Sequence, residues 1–201
     1  MVAGALALPM AARAHAAALL IPAVKALNWD GIGEIPTAEG LKRLVIKTHV
    51  EPFFRARATS YLEERGGETA RTLIVEPEGA WMETQAARLP LPGRQADHER
   101  AQYGLYGYLL RARYFAFNNV RTRLDWHGYP SIEMRFDAQS RPVEARYVVP
   151  SYSDSGTIAQ RIEFEGAIQD KGVIWPRRIT ILVDDKLSFR MTFDTFTAEF
   201  A

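Results

Sequence analysis

From Leu41 onward the chain alternates. Leu44, Ile46, Thr48 and Val50 share one face while Arg43, Val45, Lys47 and His49 share the other, a period of two that predicts a half-buried strand. Phe53 to Leu62 repeats the pattern, with Phe54, Ala56, Ala58, Ser60 and Leu62 set against Arg55, Arg57, Thr59 and Tyr61. Gly66-Gly67 is read as a hairpin turn, and Arg71 to Val75 and Ala80 to Thr84 as two further strands around the turn Glu76-Pro77-Glu78-Gly79. Before this meander, Pro22 to Asn28 places Ala23, Val24, Ala26 and Leu27 at spacings that suit a short amphipathic helix. Asp30-Gly31-Ile32-Gly33 then acts as its breaker, and Pro36 to Gly40 reads as a loop.

The period changes at Gln95. Through Arg113, His98, Gln102, Leu105, Leu109 and Ala112 fall on one helical stripe, with Tyr106 and Leu110 beside it, which predicts one long helix. Gly104 and Gly107 each cost it roughly 1 kcal/mol relative to Ala, and they permit close approach to another backbone. Strands resume at Ser131–Phe136, Val143–Val149, Ile158–Ile168, Val173–Val183 and Leu187–Phe196, separated by turns such as Asp184-Asp185-Lys186. Pro176 lies inside one of these runs, so an edge or bulge is expected beside Trp175. The connections are too short for parallel crossovers. The expected fold is therefore mostly β (α+β): a curved antiparallel sheet or unclosed β-barrel of about 9–11 strands, with helices covering the concave face.

Composition narrows the function classes. Lys plus Arg number 25 against 24 Asp plus Glu, a net charge of +1 that provides no long-range attraction for nucleic acid or an anionic membrane. The chain has no cysteine, which excludes disulfides, thiolate metal sites, thiol catalysis and lipidation of a terminal Cys. Val2 to Ala12 is an uncharged Ala/Leu-rich run followed by Ala14-His15-Ala16, the pattern of a signal peptide cleaved near Ala16, although its first cation, Arg13, lies behind the apolar stretch. The run is too short and interrupted for a bilayer, which demands ~20 apolar residues. Residues 1–16 are thus expected to be a signal peptide, residues 17–201 a single domain, and the location periplasmic.

No catalytic or metal-binding constellation is expected. His49, His98 and His127 are not spaced as metal ligands, and the adjacent residues of Asp97-His98-Glu99-Arg100 diverge around a helix, reading as a charged first turn. No Gly-x-Ser-x-Gly elbow surrounds a serine, and Gly31-Ile32-Gly33 lacks the third glycine of a dinucleotide fingerprint. Glu163 and Glu165 share a sheet face whose ordinary duty is solvation. The distinctive feature is aromatic load: four Trp, ten Phe and eight Tyr. Most of it serves the core, yet a wide sheet capped by helices also leaves an apolar cavity suited to an acyl chain or other amphiphile.

Three stretches resemble the LolA/LolB superfamily of bacterial lipoprotein carriers, which includes the N-terminal domain of the sigma-factor regulator RseB. Ile132 to Asp137 is similar to the family's apolar strand ending in Phe-Asp, Gly172 to Ile179 to its Gly-x-x-x-Pro-x-x-Ile stretch, and Phe193 to Phe200 to its closing strand. The order of elements over residues 40 to 200 is similar as well. The resemblance implies an unclosed barrel with a helical lid over a hydrophobic cavity, and a non-enzymatic binding role without cofactor or metal, for a lipid, acyl chain or lipoprotein. It implies that an early-strand arginine, Arg55 or Arg57, bonds to the lid. Phe54, Trp81, Leu105 and Leu109 are the apolar candidates for ligand contact. A module that binds an envelope protein through the same fold with a filled core is the alternative, and an exported hydrolase using His98 or His127 a third.

Overall fold

A computed structural model of the chain describes residues 24–112, 121–153 and 155–201. The expected signal peptide over 1–16 lies outside the described residues. Along the first half run β1 (Val24–Thr37), β2 (Gly40–Glu51), β3 (Arg55–Leu62), β4 (Arg71–Glu76), β5 (Gly79–Glu83) and β6 (Arg88–Pro90), followed by one helix, α1 (Gly93–Ala112). The second half comprises β7 (Arg121–Trp126), β8 (Tyr129–Phe136), β9 (Pro142–Pro150), β10 (Thr157–Glu165), β11 (Ile168–Asp170), β12 (Val173–Trp175), β13 (Arg178–Val183) and β14 (Lys186–Phe200).

Twelve strands form one curved, unclosed antiparallel sheet in the order β6-β5-β4-β3-β2-β1-β14-β13-β10-β9-β8-β7, and β11 and β12 form a separate hairpin. The topology explains where the helix lies. The chain meanders outward from the sheet centre to one edge at β6 and resumes at the opposite edge with β7. It then meanders inward until β14 pairs with β1. A segment joining two opposite edges must cross a face of the sheet, and α1 makes most of that crossing. The inward-facing residues register across the strands, so that Leu27 pairs with both Val50 and Ala198, and Leu124, Ile132, Tyr147, Gln160 and Val183 form one row from β7 to β13. These rows and the inner side of α1 make up the core.

Sequence periodicity misplaces the first element. Residues 24–28 are not helical but open β1, and Asp30-Gly31-Ile32-Gly33 is its middle rather than a breaker. The physical reason is a register shift between Val24 and Ala26, which turns both Ala26 and Leu27 inward and imitates a helical spacing. Gly31 is required there by packing, since a Cβ would lie 2.1 Å from the Thr192 carbonyl oxygen. Gly66-Gly67 is the start of a single 3-10 turn, Gly66–Thr69, instead of a tight hairpin. The short β6 and the strand β7 escape the pattern altogether. The run Val173–Val183, expected as one strand with an edge or bulge beside Trp175, is two strands: the chain leaves β12 at Trp175 and enters the main sheet as β13 at Arg178, because Pro176 cannot donate to a ladder. Asp184 and Asp185 both adopt positive φ, 50° and 58°, as a two-residue hairpin turn demands.

Candidate functional site

Helix α1 is fastened to the sheet mostly through backbone carbonyls. The buried Tyr147 hydroxyl donates to the Ala101 carbonyl at 2.8 Å, and Tyr108 donates to Pro130 at 2.9 Å. Arg100 donates to the Pro77 carbonyl in the β4–β5 turn at 2.8 Å, and Arg94 to that of Gly156 at 2.7 Å. His98 Nδ1 lies 2.7 Å from the Pro150 carbonyl oxygen, an acceptor, so this nitrogen carries the proton. The helix glycines let aromatic rings approach, where close backbone contact was the expectation. A Cβ on Gly107 would meet the Phe53 ring at 2.5 Å, and one on Gly104 would meet Tyr129 at 2.5 Å. Phe53 itself holds a left-handed backbone, φ 58°, stacked on Trp126 at 4.5 Å and packed edgewise on Tyr108 and Tyr129.

Between α1 and the middle of the sheet lies a cavity of about 390 Å³. Its floor is apolar, from Ile46, Ile158, Ile181, Phe189 and Met191, and Trp29 and Tyr106 form an aromatic wall with ring centres 4.6 Å apart. Tyr103 continues that wall 5.7 Å from Tyr106. The polar lining is sparse and includes Glu99, Gln102 and His98 from the helix and Thr48, Gln160 and Ser188 from the sheet. No lysine or arginine among the described residues lines it.

Two of these polar groups are unusual. Glu99 has no hydrogen-bond or ion-pair partner among the described residues, and its removal from water pushes its carboxyl up to about 7, against a weaker opposing pull from Arg71 on β4. The same loss of water raises the Tyr103 and Tyr106 hydroxyls well above the ordinary tyrosine range. Gln160 is only 6% exposed and occupies an inward position between Tyr147 and Val183, yet its side-chain oxygen is buried with no partner. A buried acceptor without a donor costs about 1–3 kcal/mol, so an amide at an otherwise apolar strand position calls for a reason.

The residues singled out in the sequence are dispersed. Leu105 lines the cavity, while Leu109 lines a second, smaller hollow of about 260 Å³ with Trp175 and Pro176. Arg55 makes no bond to the helix among the described residues. It pairs with Glu51 in its own turn, 2.6 Å away, and Arg57 lies opposite the inward Ala56 and Ala58, 3.5 Å from Glu83. The arginines that join α1 to the strands and their turns are on the helix side: Arg94, Arg100 and Arg111, the last over the Trp126 ring at 4.4 Å. Phe54 is 53% exposed, because the turn after β2 sends Phe53 inward in its place. Trp81 sits beneath the Arg88 guanidinium, on the face opposite the inward Ala80. Glu99, Tyr103 and Tyr106 did follow a signal, the spacing i, i+4, i+7, but on a stripe beside the one chosen. Gln160 stood out only as a polar residue on the inward phase of its strand. Among the described residues no group of His, Asp or Glu could hold a metal ion, and no helix is long and apolar enough to cross a membrane.

No protein-family model matches the sequence, and no curated protein matches it either. Solved structures do match its fold. A domain described as an outer membrane lipoprotein-sorting protein from Vibrio parahaemolyticus superposes with a TM-score of 0.55 at 8% identity, covering 94% of this chain and 91% of that one. A LolA superfamily protein from Nitrosomonas europaea gives 0.52 at 11% identity, over 90% and 89% of the two chains. A DUF1329 family protein from Desulfovibrio piger gives 0.50 at 8% identity, over 94% and 90%. The fold is LolA-like.

Proposed function

From the LolA-like fold and the hollow beneath its helix, we propose that this protein is a non-enzymatic carrier that binds an apolar or amphiphilic molecule between sheet and helix, in the bacterial periplasm. The observation that carries this reading is the cavity itself: about 390 Å³, floored by aliphatic and aromatic side chains and roofed by an element held at a few discrete points. That volume is in the lower part of the roughly 300–1,000 Å³ typical of small-molecule sites. A single hydrocarbon chain suits it better than the several chains of an intact lipoprotein. About ten methylenes withdrawn from water would gain roughly 8 kcal/mol before ordering costs, enough for useful affinity without chemistry. The two outer membrane and LolA-superfamily structures support the same reading, and a filled-core interaction module is disfavoured by the hollow.

The test is native mass spectrometry of protein purified from cells, followed by displacement of the apolar dye N-phenyl-1-naphthylamine by dodecanol. We expect a co-purifying amphiphile and saturable displacement, both lost when Ile158→Trp fills the floor. Clean apo protein that neither takes up the dye nor loses it to dodecanol overturns the proposal.

A further inference from the structure

We propose that the cavity selects amphiphiles whose head group is a protonated amine, with Glu99 taking the charge and Gln160 accepting an N–H bond. The inference rests on the reading of this cavity as an amphiphile site and names the class of molecule it takes.

Three independent features point to a cationic, hydrogen-bond-donating head. The first is the charge of the lining: among the described residues it has one carboxyl and no lysine or arginine, so an anionic head such as a carboxylate or phosphate would be withdrawn from water with no counter-charge from them. Arg71 acts on Glu99 through space but is not part of the lining. The second is the pair of unpartnered polar groups. The Glu99 carboxyl and the Gln160 side-chain oxygen both lack partners among the described residues, and both belong to the wall of the same hollow. An ammonium has three N–H donors, which matches a site with acceptors to spare. The third is the aromatic wall, Trp29, Tyr103 and Tyr106, whose π faces attract cations, most strongly where water is excluded.

The experiment measures dissociation constants of dodecylamine, dodecanol and dodecanoate for the full chain by displacement of N-phenyl-1-naphthylamine at about pH 8, where Glu99 is mostly ionised and the amine protonated. All three carry the same hydrocarbon chain and are used below their aggregation thresholds. Dodecylamine should bind at least about tenfold more tightly than dodecanol, with dodecanoate the weakest, as expected for one charge-assisted hydrogen-bonded pair. Glu99→Gln should abolish the advantage of dodecylamine over dodecanol measured in the same variant, because the charge has been removed. If dodecanol binds but dodecylamine shows no advantage, or keeps it in Glu99→Gln, the head-group assignment is wrong and the carrier reading stands. If none of the three binds, both fall.

Discussion

Glu99 shows how one side chain can be legible as a letter and illegible as an environment. On the helix it is one of four consecutive polar residues, yet its carboxyl ends in a hollow whose walls are apolar, and the loss of hydration raises its affinity for protons. The groups that act on it electrostatically come from three places: Tyr103 and Tyr106 on its own helix, Arg71 on β4, and Tyr152 in the segment after β9. The consequence for stability has a definite sign. An acid whose folded-state pKa rises from 4.5 to about 7 binds more protons folded than unfolded across that interval, so its contribution is fully present below pH 4.5 and is lost as pH rises through about 7. Urea denaturation from pH 4.5 to 8 should therefore show a declining component that is absent in Glu99→Gln. An identical slope in wild type and variant would refute this account of the residue.

At the scale of elements, α1 is weak as an isolated helix and strong as a docked one. Two glycines in its interior lower its intrinsic stability, but they let Phe53 and Tyr129 sit against the helix axis, and Phe53 is locked in turn by Trp126, Tyr108 and Tyr129. Gly107→Ala sets the two effects against each other. Helix propensity favours Ala by about 1 kcal/mol, whereas a methyl forced against an immobilised ring at 2.5 Å costs about 1–3 kcal/mol. We expect net destabilisation, together with faster amide exchange across α1. Gly93→Ala, where a methyl meets open space, serves as the control and should be neutral or slightly stabilising. Equal behaviour of the two variants would mean that the Phe53 contact does not hold the helix down.

For the molecule as a whole, the decisive joint is the seam where β1 meets β14, because it unites by a continuous ladder two flanks that otherwise meet through the helix crossing and the packing of Phe53 on Trp126 and Tyr129. Leu27 is at that seam, fully buried and flanked by Val50 on one side and Ala198 on the other. Leu27→Ala should cost about 2–5 kcal/mol, a large share of the 5–15 kcal/mol typical of a domain. Both flanks should unfold in a single transition in the variant as in the parent, read by tryptophan fluorescence and far-ultraviolet circular dichroism. Separate transitions would show that each flank is stable without the seam.

The alternation of apolar and polar residues determined that this is an antiparallel β protein with one long helix, because a strand's burial pattern is local and survives any arrangement of its neighbours. It also marked an irregularity at Trp175-Pro176, though not the full break between two strands, and placed the Asp184-Asp185 turn, each of which depends on local backbone chemistry. Local pattern failed where burial was set by partners far along the chain. The shifted register made β1 look helical, and the turn after β2 exchanged Phe53 for Phe54 as the inward ring. It also could not say which face of a strand lies beneath the helix, and so Trp81 and Arg57 were candidates while Gln160 was not. Only the crossing of α1 from one sheet edge to the other decides which side chains share a hollow, since a cavity is a property of surfaces brought together over long sequence distances.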